Sequence, residues 1–134
     1  MPRLHVLAVD ARLPIWAEQG CAEYAKRMPR GYEVARVAVK GARLQSALPK
    51  GARLVALDER GHDLDTRAFS KLLSEETAFL IGGPDGLDEG VKRQAALLLR
   101  LSSLTLPHAL AQVLLLEQLY RAATLLTGHP YHRV

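Results

Sequence analysis

An α/β fold with a mostly parallel sheet flanked by helices is what this 134-residue chain predicts, on three observations. Apolar runs of strand length alternate with stretches of helical pattern throughout. Proline and glycine stand at the boundaries between them, where helices start and stop. The chain has 49% hydrophobic residues, no internal repeat and no linker, so residues 1–134 read as a single domain with one core.

Leu4–Val9 (LHVLAV) reads as a buried first strand. Pro14 sits where a first helical turn tolerates proline, opening a helix to about Met28 that Pro29 stops. Valine-rich Tyr32–Val39 is the second strand. Gly41–Gly51, punctuated by Pro49, has room for little more than one helical turn. Leu54–Leu57 is a third strand ending at Asp58, followed by a polar turn through Gly61. Asp65 is placed to cap a helix over Thr66–Ser74. Thr77–Ile81 forms a fourth strand that runs straight into Gly82 and Gly83, and Asp88 caps a helix over Glu89–Ala96. Leu98–Leu104 reads as a fifth strand, although its leucines also allow a helix. From Pro107 a long helix runs to about Thr127, and Gly128 ends it.

Around that last helix, Glu117, Arg121 and Thr124 fall at i, i+4 and i+7 and form one narrow polar stripe. Val113, Leu116, Leu119, Tyr120, Ala123 and Leu126 crowd the opposite side. A helix so apolar needs burial on several sides, and a partner subunit is a natural source of it. Gln112, Glu117, Gln118 and Arg121 interrupt the run Ala109–Leu126 and argue against a bilayer span. Met1–Asp10 lacks the basic flank and long apolar stretch of a secretory leader, so the expected compartment is the cytoplasm.

Cys21 is the single cysteine, which excludes an intramolecular disulfide and a cysteine-based zinc site. Net charge is +4, and the excess is uneven. Lys26, Arg27, Arg30, Arg36, Lys40, Arg43, Lys50 and Arg53 face a single acid, Glu33, within one stretch. Such a stretch attracts a polyanion, of which RNA is the natural candidate; a merely solvated basic surface is the other reading.

Two motifs carry the chemistry. LIGGPDGL (Leu80–Leu87) is neither a P-loop, since no Gly-Lys-Ser/Thr follows, nor a GxGxxG dinucleotide turn. It is either a plain chain reversal or a loop where a ligand backs onto Gly82 and Gly83. The tail GHPYHRV (Gly128–Val134) places two histidines as H-x-x-H, but Pro130 opposes a helix there and no thiolate or carboxylate is near, so no metal is expected. It is either a frayed terminus or a flexible, substrate-facing segment. In the second case His132 exchanges a proton, Tyr131 stacks on a base and Arg133 holds phosphate. Asp58 is open to reading as a ligand contact or a turn residue, and His108 as a satisfied helix-start residue.

LIGGPDGL, LSSLTLPH, LLEQLYRA and HPYHR, in that order and spacing, resemble the ribosomal RNA large subunit methyltransferase H family of the SPOUT class. The resemblance spans essentially the whole chain and is densest from Leu80 onward. It implies a carboxyl-terminal trefoil knot, which the residues alone do not suggest. It also implies methyl transfer from S-adenosylmethionine to N3 of a pseudouridine, in a 23S rRNA stem-loop at the ribosomal subunit interface. A homodimer follows, with the tail of one subunit reaching the cofactor of the other, and neither a metal nor a membrane is involved. The implied cofactor residues are Leu57, Gly82, Leu101, Ser102, Ser103, Leu104, Thr105 and Leu106; the implied substrate side is His132, Arg133 and Tyr131. Two departures stand out: Lys40–Ala52 is shorter than in typical members by roughly a helix or more, and Arg100 stands where relatives often have serine.

Overall fold

The computed structural model describes residues 3–132. Its strands are β1 (Leu4–Val9), β2 (Val34–Val39), β3 (Arg53–Asp63), β4 (Thr77–Gly82) and β5 (Leu97–Arg100). Its α-helices are α1 (Ile15–Lys26), α2 (Leu44–Ala47), α3 (Thr66–Ser70), α4 (Glu89–Gln94) and α5 (His108–Thr127). Tighter 3-10 turns occupy Gly41–Arg43, Lys71–Ser74 and Pro130–His132.

The strands form one sheet in the order β2-β1-β4-β3-β5, with every pairing parallel. β4 is the middle strand, and its first five residues, Thr77–Ile81, are all buried. Alternate residues of the strands feed two layers rather than the single core expected. Leu4, Val6, Val55, Phe79 and Ile81 pack beneath Cys21 of α1, Phe69 of α3 and Leu115, Leu116 and Leu119 of α5. Leu7, Val9, Ala56, Ala78 and Leu80 pack on the other face with Leu44 of α2 and Val91 of α4. A parallel sheet covered on both faces is the usual outcome when helical crossovers link its strands.

Both acidic caps form as expected. The Asp65 carboxylate accepts the Ala68 N–H at 2.8 Å, and Asp88 accepts that of Val91 at 2.9 Å. Gly128 ends α5 in the left-handed region, at φ 78°.

Several boundaries differ from expectation, and three of them have a visible cause. β3 does not turn away at Asp58 but continues to Asp63 through a bulge, so that Leu57 and His62 both lie opposite Leu99. Gly61 is indispensable there, because a Cβ on it would stand 2.6 Å from the Leu98 backbone. β5 stops at Arg100 instead of reaching Leu104, and Ser102 Oγ accepts the Leu104 N–H at 2.9 Å, folding the segment into a side-chain-stabilised turn. α4 ends at Gln94, two residues early: Ala95 is extended and the Ala96 N–H joins Leu54 O at 2.8 Å.

Among the described residues, no helix is long and apolar enough to cross a membrane. The middle strand should dominate stability. Phe79 is fully buried and its ring lies 5.7 Å from that of Phe69. Phe79→Ala is expected to cost about 3–5 kcal/mol, read by urea denaturation.

Candidate active site

Because the strands run parallel, the carboxyl ends of β3, β4 and β5 open on the same edge of the sheet, where α/β folds bind ligands. A cleft of about 500 Å³ lies there, a volume suited to a small-molecule ligand. β3 contributes Leu57, Asp58 and Glu59, and the loop after β4 contributes Gly82 to Leu87. The loop after β5 contributes Leu101, Ser102 and Leu104 to Pro107, and α5 closes one wall with His108 and Ala111.

The structure therefore brings together Leu57, Gly82, Leu101, Ser102, Leu104, Thr105 and Leu106 around one cavity. Ser103 is the exception: it is exposed and outside the lining, because the turn made by Ser102 and Leu104 directs it away. Leu104 stands 75% exposed at the cleft.

Asp58 and Lys92 form a charged pair in the wall, Nζ to Oδ2 3.2 Å. The Arg60 N–H, with the Lys92 ammonium beside it, holds the Asp58 carboxyl below the usual carboxylate range. The cleft thus presents a fixed carboxylate among apolar side chains. Sequence reasoning raised Asp58 but missed Lys92, whose contact is made only when α4 folds against β3. Arg100 has a clear task. Its Nε and Nη2 grip Asp63 at 2.7 and 2.6 Å, tying the exit of β5 to that of β3.

The glycine loop is a tight turn, with the Gly86 N–H donated to Gly83 O at 2.9 Å. Its glycines make room mainly for the protein itself. A Cβ on Gly82 would stand 2.5 Å from the Gly86 backbone, and one on Gly83 would collide with the Asp10 carbonyl. The loop is thus a chain reversal fixed by its own packing, and Gly82 and Gly83 also line the cleft. Asp10, which sequence reasoning passed over, sits at φ 52°, in the left-handed region that aspartate tolerates better than most residues. Its carboxylate accepts the Gly41 N–H at 3.0 Å, so one residue joins the loops after β1, β2 and β4.

The tail is docked rather than free. After Gly128 the chain turns back along α5, and the Tyr131 hydroxyl donates to Glu117 Oε2 at 2.8 Å. The Arg121 guanidinium lies 4.9 Å from the centre of the Tyr131 ring, and the Tyr120 ring 4.5 Å away. Burial, then the Glu117 carboxylate, pushes the Tyr131 phenol well above the usual phenol range. Tyr131 is thus an anchor within its own chain, a role that its sequence did not announce. The polar stripe of α5 is likewise not solvated: Thr124 is buried and Glu117 and Arg121 carry the tail.

His132 Nδ1 is buried with no hydrogen-bond partner among the described residues. Arg133 lies outside them. At about 100° per residue, Glu117 stands on the opposite side of α5 from His108, so the tail is seated across the helix from its own chain's cleft. The basic run is less free than its sequence suggests. Arg27, Arg36 and Arg53 pair with Glu23, Glu18 and Glu75. Lys26, Arg30, Lys40, Arg43 and Lys50 are exposed. His129 and His132 are not joined by a third ligand: among the described residues, no three histidine, cysteine, aspartate or glutamate side chains gather as a metal site would require.

The packing of the glycine loop is testable. Gly83→Ala should destabilise the protein by about 1–3 kcal/mol, since its neighbour is backbone that cannot rotate away; thermal unfolding reads the loss.

Comparison with known proteins identifies the class. A family model described as "Predicted SPOUT methyltransferase" matches residues 2–132. Ribosomal RNA large subunit methyltransferase H of Ralstonia pickettii is 45% identical over 155 positions, covering 98% of this chain and 99% of that protein. Its counterpart in Dechloromonas aromatica is 47% identical over 153 positions, covering 98% of each. Both alignments are longer than this chain. Solved structures share the fold. A probable methyltransferase from Bordetella pertussis has a TM-score of 0.64 at 15% identity, covering 91% of this chain and 96% of that one. The SpoU methyltransferase AviRb from Streptomyces viridochromogenes, in complex with AdoMet, has a TM-score of 0.56 at 19% identity, covering 87% of this chain and 56% of that one. With its parallel sheet, its cleft at the strand ends and its near full-length match to these enzymes, the chain belongs to the SPOUT methyltransferase family.

Proposed function

We propose that residues 1–134 act as one SPOUT unit, a cytoplasmic, S-adenosylmethionine-dependent methyltransferase that modifies N3 of a pseudouridine in a 23S rRNA stem-loop at the ribosomal subunit interface. The observation that carries this reading is the convergence of the β3 bulge and the loops after β4 and β5 on one cleft, whose lining holds seven of the eight cofactor positions that the family resemblance implies. The names of the full-length relatives support the rRNA substrate, and the AdoMet-bound neighbour supports the cofactor. α5 returns from the sheet's edge at β5 to pack against α1 and α3, a passage compatible with trefoil threading.

The residues fit that cofactor. Leu57, Leu101 and Leu106 offer apolar walls for an adenine ring, loop backbone offers hydrogen bonds to its edge, and Asp58 offers a carboxylate for a hydroxyl or ammonium group. Bound there, S-adenosylmethionine supplies an activated methyl carbon. What remains for the chain is to hold the base in line and to take the N3 proton.

We assign that proton to His132 and the phosphate or imidate charge to Arg133. The seat of the tail, across α5 from its own cleft, favours a homodimer in which each tail serves the other subunit. Exposed Ile15, Trp16, Leu104 and Leu110 provide apolar surface for such a contact. Lys26, Arg30, Lys40, Arg43 and Lys50 supply phosphate contacts.

Ribosomes lacking the modification, incubated with the protein and labelled cofactor, should gain methyl at N3 of the interface-loop pseudouridine, mapped by mass spectrometry. Methyl at another nucleotide would replace the substrate; none on ribosomes or free rRNA, with cofactor bound, would overturn the reading. His132→Ala should lower kcat at least about a hundredfold, as loss of an acid/base group does, and leave cofactor affinity within about twofold. Mixed dimers of His132→Ala with a cofactor-binding variant such as Leu101→Asp should recover activity, since one of their two composite sites is intact. Lack of recovery in such mixed dimers would remove the shared-site arrangement.

A further inference from the structure

We infer that Glu117 is a positioning residue, whose carboxylate clasps the tail through Tyr131 and Arg121 and so fixes where His132 leaves the helix. The inference rests on the functional reading above, in which His132 faces the substrate.

Three contacts converge on one oxygen. Glu117 Oε2 accepts the Tyr131 hydroxyl at 2.8 Å and Arg121 Nε and Nη2 at 3.0 and 2.7 Å. The second oxygen, Oε1, accepts the Gln118 amide at 2.8 Å. The Glu117 side chain is only 14% exposed, so water competes weakly for its carboxylate. An i,i+4 Glu–Arg pair on a helix commonly stabilises only its own helix. Here the pair also grips a residue that follows the helix end, and the same guanidinium lies over that residue's ring.

The tail is therefore fixed at two points. At its start the Gly128 and His129 N–H groups both reach back to Thr124 O, the latter at 2.9 Å. Three residues on, the Tyr131 ring rests on Tyr120, which itself lies 5.9 Å from Tyr24 of α1. Only His129 and Pro130 lie between Gly128 and Tyr131, and proline holds one of the few free torsions. His132 follows the second anchor directly, so any slack in the clasp becomes displacement of the imidazole. Displacement of about 1 Å at a reacting group is costly to rate.

The test uses the full-length chain with Glu117→Gln, Tyr131→Phe and the double variant. Amide exchange over residues 128–132 is followed by mass spectrometry, and kcat and KM for S-adenosylmethionine are measured on ribosomes lacking the modification. Each single variant should speed exchange and lower kcat by about tenfold, the loss expected of one hydrogen bond to a charged group. KM for the cofactor should stay within about twofold, and the double variant should be no worse than the poorer single one. Tyr131→Phe removes one oxygen and keeps the ring, so it serves as the probe where Glu117→Gln unfolds the helix. Unchanged exchange, or faster exchange with unchanged kcat, overturns the inference. If the unaltered protein transfers no methyl to ribosomes, the functional reading fails, and exchange alone then decides whether the clasp holds the tail.

Discussion

The common direction of the strands governs the rest of this structure. With all five strands parallel, their carboxyl ends lie along one edge, and the loops that follow them are forced into proximity. The cleft is the space those loops leave. Its floor is rigid because β4 is buried from Thr77 to Ile81 and flanked by a paired strand on each side. The loops need little intrinsic order, since Asp10 joins three of them and the Arg100–Asp63 fork joins the exits of two strands. A pocket built this way combines a stiff base with walls pinned to one another.

Much of this arrangement was legible in the residues because it is local. Alternation of apolar runs with helical stretches gives the strands, Asp65 and Asp88 announce their caps, and Gly128 announces the end of α5. The loop at Gly82–Leu87 is recognisable as the place where a strand stops, whereas Leu101–Leu104 reads as strand and is marked as a loop only by the family resemblance. What the sequence withheld depends on segments distant along the chain. The bulge that carries β3 to Asp63 exists because the Leu98 backbone approaches Gly61, and nothing near Gly61 records that approach. Asp10 adopts a conformation more often given to glycine, which a single aspartate does not reveal. Lys92 meets Asp58 only through the packing of a short helix.

The long helix shows the same division. Its wheel displays the polar stripe of Glu117, Arg121 and Thr124, and polarity alone suggests contact with water. The structure gives the stripe a protein ligand instead, the phenol of the chain's own tail. Periodicity reports which side of a helix differs from the rest, but not what covers that side. The position of Ser103 carries a similar lesson on a smaller scale. A run of loop residues shares a sequence motif, yet one hydrogen bond from the Leu104 N–H to Ser102 decides which of them face the cavity.

Seating the tail on α5 turns that helix into a ruler. One residue inserted between His108 and Glu117 would rotate the tail's seat by about 100° about the helix axis and shift it by about 1.5 Å. The change would carry straight into the tail, because only His129 and Pro130 separate Gly128 from the Tyr131 anchor. A change of length within α5 therefore moves the tail's seat. The spacing from LPH to HPYHR is a dimension of the enzyme, set by the pitch of a helix as firmly as side chains set its chemistry.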